Sequence, residues 1–511
     1  MKKYIGFLII ALLIAWLILR PILPTGAWYP MHDRTHPERI ALMQSTMLNG
    51  QFPPIWADTI NGGYGYPLFH FYAPLFHLFT SLIGFNFYLP LPTTALKITL
   101  IVATLTGVMG IMLFSRRWGR VAATVSAFAF AMSPFMAIEL YVRGAFSEYL
   151  SLCLLPWVFL ATESLSSRSK IALAGVSIAL FVLSHNLIPV LALPMVLIWM
   201  LYHNKGQAHR VAWTILLSIG LTTWFTLPLI FERQFVRADE IARNSNYALH
   251  FVEPWQLWNS TWGFGGSTLG IEDGMSFKLG KLQIILGITG LLLAFIKKKK
   301  SLILIGGFLM FALYLATPYA KVVWDALPTL QLVQFPWRSL GIVVVLLSLL
   351  AGFAVSRLPS RPLRVLLAMI VIVTLWKLGG QYFKPQEITT SPMDKVEQFS
   401  SDQISDIAPV IPEYMPVWFT GKGGVLPNEA AVDETGDRLL IGQAYYPTWK
   451  AYVNGQQVEL QPDKNGLVSI DLPIEDHVLE LKPSHTNLEY VAYTLTLLSV
   501  GYTVGLLKER G

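Results

Sequence analysis

Charge is scarce in this 511-residue chain: 14% of its residues are Asp, Glu, Lys or Arg and 54% are hydrophobic, whereas a soluble protein carries about a quarter charged residues. That shortage excludes an ordinary soluble globular protein and makes a bilayer the expected solvent. Cysteine is nearly absent as well. The one thiol, Cys153, lies inside an apolar run, which excludes an intramolecular disulfide and a thiol metal site and argues against redox chemistry. Acidic residues are outnumbered, 31 against 38 Lys and Arg, for a formal charge of +7. The basic residues sit in short clusters between apolar runs, which is the demand of membrane topology and not of nucleic-acid binding. A small-residue cleavage site is missing too. The run from Tyr4 to Leu19 behind Lys2 and Lys3 is followed by Arg20-Pro21, so it reads as a retained first span and not as a signal peptide.

What the chain has in abundance is runs of about 20 apolar residues, the length a spanning helix needs. About twelve are found, near 4–22, 93–114, 120–138, 147–164, 169–184, 187–203, 210–231, 279–296, 301–316, 339–356, 362–379 and 489–507. Placing Lys2 and Lys3 in the cytoplasm puts Arg116, Arg117, Arg120, Arg168, Lys170, Lys205, Arg210, Lys297 to Lys300, Arg357, Arg361, Arg364, Lys508 and Arg510 on that same side. Every short loop then obeys the positive-inside rule. The expected fold is an all-α polytopic membrane protein of the cell membrane, with a core over 1–379, an external segment over 380–488 and a C-terminal anchor over 489–511. Four large segments, 23–92, 232–278, 317–338 and 380–488, fall outside. The apolar centres hold no Asp, Glu, Lys or Arg, which speaks against an ion-coupled pump. Polar residues gather instead at outer helix ends: Lys97, Glu139, Arg143, Glu148, His185 and Arg338.

The first external segment carries His32, Asp33 and His36. Thr35-His36-Pro37-Glu38 reads as a capping box, with Pro37 in a first turn that needs no amide from it. A helix is expected from His36 to about Asn49, stopped by Gly50 and presenting Ile40, Met43 and Met47 on one face. The turn-rich Gly62 to Pro67 leads into PLFHFYAPLFHLF, expected to form an interfacial or re-entrant helix. In the last external segment a polar linker, Glu397 to Asp406, precedes strand-like alternation from Arg438 to Leu481. There WKAYV and QQVEL flank Asn454-Gly455, a two-residue hairpin signal. A small external β domain is expected before the last helix.

The stretch HDRTHPERIALMQSTMLNGQFPPIWADTINGGYGYPLFHFYAPL resembles the start of the bacterial membrane proteins that carry a "6-pyruvoyl-tetrahydropterin synthase related" domain and of the related YfhO-like proteins. YVRGAFSEYLSL, SHN at 184–186, QFPWR at 334–338, EYMP at 413–416 and AYYPTWKAYVNGQ follow in the same order. Nothing in them looks like soluble pterin-synthase chemistry. The wider kinship implied is the GT-C glycosyltransferase fold, in which a multi-span core takes a polyprenyl-phosphate sugar donor and a first external loop supplies a catalytic acid.

On that resemblance Asp33 is the expected base for an acceptor hydroxyl. The sequence departs from the pattern of two adjacent acids by having His32-Asp33, and the bland alternative is a carboxylate serving the helix N-terminus or Arg34. His36, Arg143, Glu148, His185 and Arg338 are the candidate substrate contacts, with the arginines on phosphate. Each has a structural alternative: an Arg143–Glu148 pair, a helix-capping His185-Asn186, an interfacial anchor at Arg338. His32, Asp33 and His36 make too incomplete a shell for a metal, and no cofactor is expected. Glu38 and Arg39 read as shaping the helix; Trp56, Tyr64, Tyr66 and Tyr72 read as sugar-stacking or interfacial aromatics. The expected partners are a lipid-linked sugar donor, membrane lipids and a glycan, lipid or protein acceptor. The competing classes are a lipid or polysaccharide flippase and a non-catalytic cell-envelope assembly protein.

Overall fold

The computed structural model describes residues 2–86, 91–240, 246–268, 272–395, 414–420, 425–471 and 479–508. It is a helical bundle with a small β domain ahead of the last helix. The polar linker expected at Glu397 to Asp406 lies outside the described residues.

Every apolar run forms a helix. The first are α1 (Lys2–Leu19), α2 (His36–Leu48), α3 (Pro74–Asn86), α4 (Pro92–Ser115) and α5 (Arg120–Ala131). Then come α6 (Phe146–Thr162), α7 (Arg168–Ser184), α8 (Ile188–His203) and α9 (Ala208–Phe231). Last are α10 (Lys281–Ile296), α11 (Lys300–Ala316), α12 (Ser339–Ser356), α13 (Arg361–Gly380) and α14 (Asn487–Lys508). Length bears out part of the expected twelve spans. Among the described residues five helices, α4, α9, α12, α13 and α14, are long and apolar enough to cross a membrane, or seven if two bent pairs count as spans. The apolar helices α8 and α10 have 16 residues each, a rise of about 24 Å against a hydrocarbon core of about 30 Å. The bends have visible causes: Pro134 follows the 49° break after α5, and Pro318 follows the 89° break after α11, each removing a helical donor.

The core is built around α12, apolar on all sides and 94% buried over its spanning window, with α5, α10 and α11 packed on it. A helix without a polar face must be enclosed in this way. Small residues allow the approach: a Cβ on Gly290 of α10 would stand 2.0 Å from the Leu350 carbonyl oxygen of α12. By contrast, α13 and α14 bury only 22% and 17% of their windows and turn apolar side chains outward.

The connections sort to the two ends of the bundle. At one end, Arg116 donates to the Tyr4 hydroxyl, Arg117 pairs with Glu163, and Arg210 donates to the Leu165 carbonyl, so the short basic loops meet. At the other end the long segments interlock, with Trp28 bridged to Thr389, Val236 to Pro416, and His32 bonded to the Phe264 carbonyl.

Within the first long segment α2 begins at His36 as expected and Gly50 follows it at φ 86°. The capping box is absent: the Thr35 hydroxyl makes no capping hydrogen bond and is buried without a partner. Ile40 and Met43 are buried against protein. The aromatic stretch forms a short helix, Leu68–Phe71, and α3, whose 13 residues are too few to span.

The β domain has a four-stranded sheet ordered β1-β2-β6-β5 and a three-stranded sheet ordered β4-β3-β7. Its strands are β1 (Ala430–Val432), β2 (Arg438–Ala444), β3 (Trp449–Val453), β4 (Gln456–Val458), β5 (Gln461–Pro462), β6 (Leu467–Asp471) and β7 (Leu479–Pro483). Asn454 and Gly455 both take positive φ, 49° and 81°, in a two-residue turn pairing Val453 with Gln456, the geometry the dipeptide favours.

Candidate functional site

The site starts from an unusual piece of backbone. After Pro134–Ala137 the chain widens into a π-helical turn, Ile138–Arg143, and leaves it through Gly144 at φ 63°; such turns are frequent at functional sites. The first long segment crosses here so closely that a Cβ on Gly144 would lie 2.2 Å from Met31 Sδ. Both the crossing and the φ angle require glycine. Beside it, His32 N donates to the Val142 carbonyl at 3.0 Å and Asp33 N to the Arg143 carbonyl at 2.8 Å. Asp33 and Arg143, 110 positions apart, are thereby fixed next to each other.

They line a cavity of about 910 Å³. On the loop wall stand Asp33, Arg39 and Tyr72; on the helix wall stand Arg143, Glu148, His185 and Arg338; Val190, Leu229 and Ile230 add an apolar flank.

On the loop wall, Asp33 Oδ1 lies 3.3 Å from Arg39 Nη2, and the Tyr72 hydroxyl donates to Asp33 Oδ2 at 3.3 Å. The Arg39 guanidinium covers the Tyr72 ring at 4.4 Å. Burial opposes ionisation of Asp33, but Arg39 and the Tyr72 hydroxyl together hold its carboxyl below the usual range. Its side chain stays 31% exposed. Burial and the Asp33 charge push the Tyr72 phenol up to about 12.

His36 does not line the cavity, which corrects its expected substrate contact. It is fully buried behind Asp33, 3.6 Å away, with its ring stacked on Phe146. Its Nε2 donates to the Gly144 carbonyl at 2.6 Å, which leaves Nδ1 to accept from His77 Nε2 at 3.2 Å. Burial lowers the pKa of both imidazoles. His32 is likewise spent on the Phe264 carbonyl, so the His-Asp-His group diverges.

On the helix wall, Arg143 Nη1 donates to both Glu139 oxygens at 2.6 Å, Nη2 donates to Glu148 Oε2 at 2.7 Å, and the guanidinium lies over Trp337. Arg338 Nε stands 3.3 Å from the same Glu148 oxygen while its Nη1 donates to the Val333 carbonyl at 2.5 Å. His185 Nε2 is 3.8 Å from Glu148 Oε2, and its Nδ1 accepts from the Leu187 and Ile188 amides, capping α8. Burial pulls His185 down to about 4, so it is neutral at pH 7. Of the groups expected at outer helix ends, Glu139 and Arg143 lie on the π turn and Glu148 in the first turn of α6, all buried.

Arg39 was missed as a cavity residue, although an arginine in the first turn after an acid is a readable ion-pair signal. Trp56 and Tyr66 are buried. Trp56 packs on Trp449 and Tyr446, and Tyr64 donates to the Val425 carbonyl and accepts from the Ala444 amide. They fasten the β domain to the first long segment; of the four, only Tyr72 lines the cavity.

Residues 69–381 match the family described as the 6-pyruvoyl-tetrahydropterin synthase related domain, a membrane protein. The matched stretch includes Tyr72, Arg143, Glu148, His185 and Arg338 and begins after Asp33. No match is found among curated proteins. Among solved structures, the Archaeoglobus fulgidus oligosaccharyltransferase is 15% identical over 75% of this chain and 56% of its own, with a TM-score of 0.47. The arabinofuranosyltransferase AftD from Mycobacteria is 16% identical over 77% of this chain and 28% of its own, also at 0.47. ArnT from Cupriavidus metallidurans, solved with undecaprenyl phosphate, is 14% identical over 74% and 64%, at 0.42. The chain thus spans little over half of the first and less than a third of the second.

Proposed function

The chain belongs to the 6-pyruvoyl-tetrahydropterin synthase related family of membrane proteins, and from that premise we propose that it is a GT-C-like glycosyltransferase. In this reading it moves a sugar from a polyprenyl-phosphate donor to an acceptor on the non-cytoplasmic face. The observation that carries the proposal is the cavity itself: a half-exposed, ionised Asp33 faces an arginine-bearing wall across a space with an apolar flank. Those are the three things the transfer needs, namely a base for the acceptor hydroxyl, cations near the departing phosphate, and a groove for an isoprenoid chain.

Asp33 acts as the base, held by Arg39 and Tyr72. Arg338 is the phosphate contact. Arg143, whose Nη1 and Nη2 are engaged by two glutamates, contributes positive field and positions Glu148. His185 serves the wall by capping α8, and the β domain braces the first long segment through Trp56 and Tyr64.

The test is transfer of labelled sugar from a lipid-linked donor in membranes. Asp33→Asn is expected to lower it by about 10²- to 10⁴-fold, the usual contribution of a positioned base. Undiminished transfer by this variant removes Asp33 from the mechanism. Lipid translocation by wild type with no glycosyl product replaces the reading with a flippase.

A further inference from the structure

Behind the wall formed by Phe71 and Tyr72 lies a second ionisable cluster that the proposed transfer does not use. His70 sits in the short helix Leu68–Phe71, Glu232 directly follows α9, and Glu489 lies in the first turn of α14; all three are buried. His70 Nε2 is 2.5 Å from Glu232 Oε2, and its Nδ1 is 3.4 Å from Glu489 Oε1. Thr486 donates its hydroxyl to Glu232 Oε1 and its amide to Glu489 Oε2, both at 2.6 Å. His485 Nδ1 approaches the latter oxygen to 3.5 Å.

Charge and unmet valence point to a missing cation. Among the described residues neither glutamate is paired with a lysine or arginine, so two buried carboxylates face one equally buried imidazole, an arrangement that low dielectric penalises. Glu489 Oε1 receives no hydrogen bond. The Tyr446 hydroxyl is buried with no partner, while its ring stands edge-on to His70 at 6.4 Å. Burial and the charges of Glu232 and Glu489 oppose ionisation of that phenol, which places it in the same field.

We propose that His70, Glu232 and Glu489 bind a single Zn²⁺ ion. One donor atom from each lies within 4.8 Å of the others. The carboxylates lie at different nitrogens of His70, and one ion takes a single imidazole nitrogen, so binding requires one carboxylate to turn to the other's side and close the spacing to the ~3.4 Å edge that bonds of about 2.1 Å give in a tetrahedron. A divalent ion neutralises both carboxylates with His70 uncharged, and the imidazole nitrogen favours zinc over the all-oxygen shells of Ca²⁺ and Mg²⁺. The site is structural in effect: it ties the first long segment to the end of α9 and to the helix that follows the β domain, two residues from Tyr72.

Purified full-length protein, stripped with chelator and reloaded with Zn²⁺ alone, is expected to hold one equivalent by elemental analysis and to melt at higher temperature than the stripped form. Glu232→Gln and Glu489→Gln are each expected to weaken zinc binding by about tenfold or more. X-ray absorption of the zinc-loaded wild type should report a shell of oxygen and one or two imidazoles without sulfur, a measurement that stands even if the variants fail to fold. Wild type that takes up no stoichiometric zinc overturns the proposal. So does zinc binding unchanged in both variants, or a shell of three imidazoles, more than the proposed site offers.

Discussion

Asp33 and Glu148 face the same cavity from opposite walls, and their surroundings differ in kind. Glu148 is 1% exposed and one of its oxygens is approached by Arg143, Arg338 and His185 together. Asp33 is 31% exposed and answers to one guanidinium and one phenol. A carboxylate compensated by two arginines and shut off from water holds a wall together, whereas one with an open side can take a proton from a substrate hydroxyl. The comparison separates two acids that the sequence presents as similar features at two helix ends.

The largest effect that could break this contrast is on folding. Glu148→Gln takes from the nearly buried Arg338 its carboxylate and leaves the buried Arg143 with Glu139 alone, and is expected to cost about 3–5 kcal/mol, read as chemical or thermal stability in detergent. A near-neutral result would show that the helix wall is wetter than its burial implies. Next comes Glu38, beside the loop wall, whose carboxyl is pushed by burial up to about 7. Its folded form binds a proton that the unfolded chain has released, so stability falls as pH rises from about 4.5 to 7 and stays lowered above that. Glu38→Gln should remove that slope and stabilise by on the order of 1–3 kcal/mol at pH 8; an unchanged pH profile would place Glu38 in water. The smallest expected change sharpens the contrast most. Asp33→Asn, which should abolish most transfer, is expected to shift stability by under about 1 kcal/mol, since its ion pair is partly exposed and weak. A loss comparable to that of Glu148→Gln would make both acids structural.

Local chemistry was legible in the sequence wherever neighbours along the chain decide the outcome. The apolar runs became helices, Asn454-Gly455 became a tight hairpin turn, and α2 begins at His36 and stops before Gly50. The number of spans was not legible, because apolarity fixes helicity more tightly than length fixes crossing. The fates of Thr35, His36 and Arg39 were also hidden. A capping box is a local expectation, yet packing left the Thr35 hydroxyl without a partner. His36 turned to a carbonyl 108 positions away, and Arg39, read as a helix former, turned to Asp33. Those outcomes depend on where the π turn crosses the first long segment, a long-range contact with no periodic signature.

The joint between Tyr64, Val425 and Ala444 carries a consequence for biosynthesis. The catalytic candidate Asp33 leaves the ribosome among the first residues, but the strand that locks its segment in place is made more than 400 residues later. A chain cut short before β2 already holds the described residues that line the cavity, the last of them Tyr414, but lacks the strand that fastens the loop around Tyr64.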